Sequence, residues 1–572
     1  MRVRAGRRLV ALLALMLLAF GSIAARLTVL QIGDHRSLEA LGLDQRVRTL
    51  DLPAARGQIL DRRGVPLGIT LDARDIYANP ALVTDPVGEA AQIAAVLGER
   101  PKRVLPALEA EGTFWYVARQ VDEDVAQRVE DLHLPGIGFL SVAKRYYPAG
   151  ALAPGVIGFV GVDGTGLAGL EMQYDSELAG VPGERTFEQS GGQPIAQGID
   201  VVRQPIDGTS LRTTLDREMQ YQAQEALKDA VEANGAKSGT VIVMDVRTGD
   251  IYAMASYPWF DPNNYAHVAA NDPARLRNPA LTDAFEPGSV NKVITAAAAI
   301  ESGTVSITQR FQVPDSMQVD EYTIHDSHAH PVETMTLADI VAESSNIGIA
   351  KVGGLVGETT LASYLGRFGF GRTTGLGFPG ESEGIVPPLS DWSAASLATI
   401  SYGQGVSVTP MQMASVYATV ANGGVWVRPR LVSGTVDRSG ASSPAPASPK
   451  KRVLEPQTAS ILTQMLAYAV ESGTGTSAQI SGYQVAGKTG TALKPAPTGG
   501  YYPDRYVASF IGFLPAGDPR IVVAAILNEP GTIYGGIAAA PLFQQVARYA
   551  IRRLGIPTAP LVAPPPHVFG LP

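Results

Sequence analysis

Cysteine is absent from the 572-residue chain. That excludes disulfides, a thiol nucleophile, thiolate metal sites and a lipid-modified N-terminal cysteine. Lysine is scarce, at 10 of the 46 basic residues. Positive charge forms no long block, and 54 acidic residues leave a formal net charge of −8, so no nucleic-acid partner is expected. Charged residues make up only 17% against 45% hydrophobic, too apolar for a disordered chain. The 61 Gly and 41 Pro follow no collagen-like period. At roughly 100–200 residues per domain, this length implies several domains and a sizeable core.

One long apolar run is present. Leu9 to Ala25 is 17 residues, ~26 Å of helix against a hydrocarbon core of ~30 Å. Arg2, Arg4, Arg7 and Arg8 precede it. The positive-inside rule therefore predicts a cytoplasmic tail over 1–8, a single-pass anchor over 9–30 and an extracytoplasmic remainder. Ser22-Ile23-Ala24 offers a signal-cleavage reading. The run exceeds the usual ~7–15-residue signal core, however, and Leu27, Val29, Leu30 and Ile32 extend it, so an uncleaved anchor is expected.

Residues 40–205, punctuated by Gly and Pro, are expected to form a β-rich, non-catalytic domain. It includes a hairpin from Gln58–Asp61 through Arg62-Arg63-Gly64 to Val65–Thr70. From 210 to 555 a second hairpin (Thr240–Asp245, Ile251–Ser256) comes first. Ala-rich helical sequence follows over 290–425, then strands Gln484–Thr491, Tyr506–Phe513 and Arg520–Leu527. A helix over Pro541–Leu554 is stopped by Gly555. This order predicts an α+β fold, one antiparallel sheet of these five strands covered by helices. Ser439–Pro449 reads as a surface loop, and 556–572 as a Pro-rich disordered tail.

Three short motifs carry chemistry. S-x-x-K occurs at Ser141–Lys144, Ser289–Lys292 and Ser448–Lys451. The first lies in strand-like sequence, where positions three apart face opposite ways. The third lies in the Pro-rich loop. Only Ser289–Lys292 follows Pro287-Gly288 and opens an Ala-rich helix, which puts both side chains on one face. A serine needs an adjacent base, and lysine serves only when burial or a neighbouring cation keeps it neutral. Without that setting the pair is an N-cap and a solvated lysine. Ser344-Ser345-Asn346 follows an amphipathic helix and alone would be a turn.

Gly482 to Thr489 matches the phosphate-binding pattern G-x-x-x-x-G-K-[ST] in full. Gly490, Pro495 and Pro497 leave no room for the helix that such a loop requires, so the phosphate reading is rejected. As a strand, the segment puts Lys488 and Gly490 on one face and Thr489 and Thr491 on the other. Its glycines would admit a ligand backbone.

Taken together and in this order, S-x-x-K, S-x-N and Lys488-Thr489-Gly490 make the chain resemble class B penicillin-binding proteins, the membrane-anchored transpeptidases that crosslink peptidoglycan. The resemblance spans nearly the whole chain. Arg56–Gly64 is similar to that family's pedestal motif, accompanied by Gly169-Leu170-Glu171 with Tyr174. Ser401–Gly405, Thr409–Gln412 and Ala421–Gly424 continue it, and Arg367–Gly371 and Gly377–Glu381 look most like the division-septum branch.

The resemblance implies a penicillin-binding transpeptidase domain over 210–555 on a pedestal. Ser289 would be the nucleophile and Lys292 its base. Ser344 would relay a proton and Asn346 would hold Lys292 and the donor amide. Lys488 would lower the pKa of Lys292 and attract a carboxylate. Thr489, Gly490 and Thr491 would bind substrate, with the Ser289 and Thr491 N–H groups as oxyanion hole. It implies D-Ala–D-Ala stem peptides as substrate, acylation by β-lactams, a polytopic glycosyltransferase and division proteins as partners, and no cofactor.

Two rival functions share this chemistry, an acylatable but unproductive scaffold and a β-lactamase. The second lacks an evident deacylating Glu and does not need the large N-terminal region. A Ser-His-Asp hydrolase is disfavoured by the absence of G-x-S-x-G. His325, Asp326, His328 and His330 crowd one loop, where no metal is expected.

Overall fold

The structure, a computed structural model, describes residues 2–33, 42, 46–190, 193–195, 199–497, 499–532 and 534–567. Two compact units emerge, residues 1–55 with 180–207, and residues 56–179 with 208–572. In the first, the helix Arg2–Thr28 contains most of a stretch, Gly6–Gln31, long and apolar enough to cross a membrane and wholly unburied. Its strands Val47–Leu52 and Asp200–Arg203 flank Gly183–Ser190.

In the second unit, the strand Pro66–Ala78 pairs with Ile59–Leu60, Trp115–Asp122 and Ile137–Tyr146. Ile59–Leu60 and the start of Pro66–Ala78 are the two arms of the hairpin expected at Gln58–Thr70. Ile59–Leu60 also pairs in parallel with Ser210–Thr213, which pairs in turn with Val432–Val436. One sheet thus joins residues 56–146 to the C-terminal region, and 56–179 pack as part of the larger unit.

The remaining elements carry the site. Five antiparallel strands, β1 (Ser238–Asp245), β2 (Ile251–Tyr257), β3 (Ala486–Pro495), β4 (Tyr501–Leu514) and β5 (Ile521–Asn528), lie in the order β2-β1-β5-β4-β3. Helices α1 (Arg217–Ala233), α2 (Lys292–Glu301), α3 (Leu337–Glu343), α4 (Asn346–Val356), α5 (Pro410–Ala421), α6 (Pro456–Glu471) and α7 (Gly535–Leu554) cover it.

Alternate residues along a strand enter different cores. Ile242, Ile511 and Val522 pack with residues of α2 and α5, whereas Val241, Phe510 and Val523 pack with residues of α1 and α7. Burial on both faces explains why Ile521 to Leu527 is apolar without alternation. The α+β architecture and the five strands are those expected.

Four features differ. Within the expected helical stretch, Phe311–Val313 pairs with Glu333–Met335, and Ser316–Val319 with Tyr322–His325. The buried–exposed–buried pattern of Phe311-Gln312-Val313 is the local strand signal. Helix α7 begins at Gly535 instead of Pro541, because Gly535-Gly-Ile-Ala-Ala-Ala540 shows no amphipathic period to read. Ser442–Pro444, inside the expected loop, adds to Val432–Val436 as a strand.

The expected disordered tail is corrected for residues 556–567. Tyr483 donates to Ile556 O (2.7 Å), Val562 N–H donates to Gln484 Oε1 (2.7 Å) and Thr336 Oγ1 donates to Pro566 O (3.1 Å). The His567 ring stacks on Tyr468 at 4.6 Å. Prolines lower the entropy that such a segment loses on docking, so few anchors suffice. Residues 568–572 lie outside the described residues.

Candidate active site

Pro287 and Gly288 lead into a single 3-10 turn, Gly288–Asn291, that runs directly into α2. Ser289 sits in that turn and Lys292 is the first residue of α2, so the helix starts one turn later than expected. Every residue of α2 from Lys292 to Ala299 is buried, which its small side chains permit. The turn is pinned by hydrogen bonds from Tyr417 Oη to Val290 O (3.0 Å) and from Asn291 Nδ2 to Ile400 O (2.9 Å). Gly288 has φ +58°, and a Cβ there would stand 2.7 Å from Thr491 O. The Ser289 turn therefore rests against β3.

Helix α3 opens with a capping box between Thr336 and Asp339 and closes at Ser344, whose φ of +65° is left-handed. A non-glycine residue held there costs on the order of 1–3 kcal/mol, and such strain gathers at functional sites. The reversal lets Ser345 cap α4 through Gly348 N–H (2.8 Å) and places Asn346 as the first residue of that helix. Lys292 Nζ reaches Asn346 Oδ1 (2.8 Å), Ser344 Oγ (3.2 Å) and Ser344 O.

Lys488 lies on β3 opposite Ile511, on the sheet face that α2 covers. Its Nζ curls back to Thr489 Oγ1 (3.0 Å) and to Thr474 Oγ1 (3.0 Å). Thr489 and Thr491 belong to the other face, beside the start of α7, where Gly535 N–H donates to Thr491 Oγ1 (3.4 Å). Side-chain alternation along β3 is thus as expected.

Both ammonium groups are out of solvent, Lys292 at 0% and Lys488 at 1% exposure. Burial first, then the charge of Lys488, hold Lys292 well below the ordinary lysine value, while Asp326 pulls the other way. Burial lowers Lys488 to about 7 against the opposing charge of Glu343. Of the two agents expected, burial and a neighbouring cation, burial is the larger at Lys292 and the Lys488 charge the smaller.

Ser289, Ser344, Asn346, Thr489 and Thr491 line one cleft of about 670 Å³. Lys292 meets it through Ser344 and Asn346, and Lys488 through Thr489. Gly490 does something other than admit a ligand backbone. A Cβ there would come 2.2 Å from Ser509 Oγ, 3.0 Å from Val290 Cγ1 and 3.2 Å from Pro287 O, so the space it leaves is filled by Ser509 and the Ser289 turn.

The other S-x-x-K matches stay apart from this cleft. Lys144 pairs with Asp122, and Lys451 is exposed on a short strand. The Gly482–Thr489 segment runs into strand β3 with no helix after it.

Two participants were not singled out for the site from the sequence. Thr474 joins Lys488 to Thr489 (Oγ1–Oγ1 2.7 Å) and bonds Ala342 O through its N–H (3.2 Å), linking the end of α3 to β3. Its only sequence signal is the flanking pair Gly473 and Gly475. Asp326, noted in the His-rich loop, lies under α4 and accepts Ser345 Oγ–H at 2.6 Å. Among the described residues, no group of three or more His, Asp or Glu is placed to hold a metal ion.

A serine one turn before a buried lysine, an S-x-N turn bonded to that lysine, and a Lys-Thr-Gly edge strand together define an active-site-serine acyl-transfer enzyme. The penicillin-binding protein transpeptidase domain matches residues 239–548, and the penicillin-binding protein dimerisation domain matches 51–213. The chain belongs to the penicillin-binding protein family, in its two-domain form with transpeptidase and dimerisation domains.

It is 35% identical to penicillin-binding protein PbpB of Mycolicibacterium smegmatis, over 97% of this chain and 91% of the relative. Peptidoglycan D,D-transpeptidase FtsI of Escherichia coli is 32% identical over 94% and 90%. The crystal structure of penicillin-binding protein 3 from Mycobacterium tuberculosis complexed with aztreonam superposes with a TM-score of 0.70. It is 32% identical and covers 90% of this chain and all of that one.

Proposed function

We propose that the chain is a serine D,D-transpeptidase that crosslinks peptidoglycan stem peptides through an acyl-enzyme on Ser289. The observation that carries this reading is Lys292, buried, bonded to Ser344 and Asn346, and held toward its neutral form beside the nucleophile turn. Ser289 Oγ gives its proton to Lys292 and attacks the carbonyl between the two terminal D-Ala residues. The Ser289 and Thr491 N–H groups take the oxyanion. The C–N bond breaks, the proton passes by way of Ser344 to the leaving D-Ala amine, and an ester remains. The amine of a second stem peptide then attacks that ester, returning the proton to Ser289. Lys488 and Thr489, with Thr491, receive the donor's terminal carboxylate, and Asn346 receives its amide.

A β-lactam would open on Ser289 in the same way and stay, as the aztreonam complex of the mycobacterial relative suggests. The transpeptidase domain spans 210–555 and the pedestal 40–205. The helix from Arg2 anchors the chain in the cytoplasmic membrane, with the arginines at its start in the cytoplasm and the catalytic region outside. The stretches Arg367–Gly371 and Gly377–Glu381 favour septal wall synthesis during division. Anchor and pedestal would meet a polytopic glycosyltransferase and division proteins there.

Incubating the full chain in detergent with stem peptides ending in D-Ala–D-Ala tests the reading. Release of D-Ala together with a crosslinked dimer supports it. Penicillin labelling with neither product indicates a scaffold, and rapid discharge of hydrolysed penicillin indicates a β-lactamase.

A further inference from the structure

The loop after the strand Tyr322–His325 holds a carboxylate that the proposed reaction does not use. Asp326 is 4% exposed at its side chain and has four polar partners. Its Oδ1 accepts the backbone N–H groups of Asn346 and Ile347 (the latter at 3.1 Å). Its Oδ2 accepts Ser345 Oγ–H at 2.6 Å and faces His330 Nε2 at 3.2 Å. Two backbone N–H groups and the Ser345 hydroxyl on its oxygens suit an acceptor-only carboxylate. The same loop accepts Asn346 Nδ2–H at His325 O (3.0 Å), which leaves Asn346 Oδ1 aimed at Lys292.

His330 completes the arrangement. Its side chain is 5% exposed, with Nδ1 2.7 Å from Pro331 O and Nε2 on Asp326. Both ring nitrogens therefore face acceptors, which a neutral imidazole, with one N–H, cannot satisfy. We propose that Asp326 and a doubly protonated His330 form an ion pair that positions the Ser344–Asn346 turn on Lys292 and balances the charge of Asp326 beside that lysine. Burial opposes the imidazolium. The bonds to Pro331 O and Asp326, with the charges of Glu333 and Asp326, outweigh it and raise His330 above its ordinary value.

The charged groups around the pair are few. Glu333 stands 3.8 Å from His330 Nδ1, the His328 ring lies 5.5 Å from that of His330, and Glu343 borders the same small cavity. Lys292 feels Lys488 and Asp326. With His330 charged, the carboxylate's pull toward protonated Lys292 is offset. Asp326 and His330 are thus positioning residues that act through Asn346 and Lys292.

This inference rests on Ser289 being the acylated nucleophile, and the experiment separates the two claims. The rate of labelling by a fluorescent penicillin is measured against pH for the full chain in detergent, and the half-maximal pH on the acid side is read. Asp326→Asn removes a negative charge near Lys292, which moves the midpoint down by about one pH unit, the low end for a neighbouring charge. The amide offers one acceptor oxygen where the carboxylate offers two, so labelling also slows roughly tenfold or more.

His330→Gln leaves Asp326 uncompensated and moves the midpoint up. The double variant returns it toward wild type. A purely structural role would slow labelling without opposite shifts, and shifts of one sign, or none, overturn the proposal. If Asp326→Asn does not fold, the upward shift in His330→Gln alone decides it. Wild-type protein that takes no label refutes the acyl-enzyme reading instead.

Discussion

Lys292 Nζ stands 2.8 Å from Asn346 Oδ1 across the junction of two helices that begin 54 residues apart in the chain. An acceptor on a lysine that must give up its charge looks contradictory. The amide orients the group, however, without supplying the negative charge that would keep it protonated. In the proposed reaction Ser344 Oγ, 3.2 Å from the same nitrogen, would complete a path from base to leaving group.

Acylation should therefore be lost on the acid side. Lys292 is held well below its ordinary value, chiefly by burial, so its neutral fraction falls as pH drops through that lowered pKa. The second-order rate of penicillin acylation is expected to fall along a single-proton limb. Lys292→Arg, whose guanidinium stays protonated, should lower the rate by ~10²–10⁴ on the plateau above that limb, the usual scale for a lost general base, and should lose the limb itself. A flat acid limb in the wild type would count against the lysine as base.

Lys488 makes a stability prediction. Its folded value is about 7, against an ordinary lysine in the unfolded chain. Between those values the unfolded state binds more protons, so stability rises as pH increases from 7 toward 10. Thermal unfolding of the full chain in detergent should show a higher Tm at pH 9 than at pH 7. Lys488→Met should reduce that rise while slowing acylation. An equal slope in both proteins would show that Lys488 is not titrating in the folded state.

Thr474 joins Lys488 and Thr489 without itself belonging to a catalytic motif. Thr474→Val keeps its volume and removes both bonds. One such bond is worth ~0.5–1.5 kcal/mol net, so acylation should slow by roughly threefold to tenfold. The pH midpoint of the acid limb should stay put, because Lys292 Nζ makes none of its bonds to Thr474. A large shift in the midpoint would mean that Thr474 acts through Lys292 after all.

The sequence was most informative where periodicity and chemistry coincide. Ser289–Lys292 could be told from its two look-alikes because Pro287-Gly288 sets a turn before four alanines. Strand β3 could be told from a phosphate loop because Gly490, Pro495 and Pro497 block a following helix. What stayed hidden depends on contacts distant in sequence. Asp326 acts on Ser345 and Asn346 from 19 and 20 residues away, with no motif between them. The role of Gly490 is visible only once Pro287, Val290 and Ser509 fill the space beside it. The tail over 556–567 read as disordered because proline-rich composition carries no sign of partners such as Gln484 and Tyr468.

Peptide mapping by mass spectrometry after penicillin treatment bears most directly on the whole account. The chain should gain one penicilloyl group, carried by the peptide that contains Ser289, and Ser289→Ala should remain folded and gain none. Acylation found on Ser141, Ser344 or Ser448, or label retained by Ser289→Ala, would contradict it.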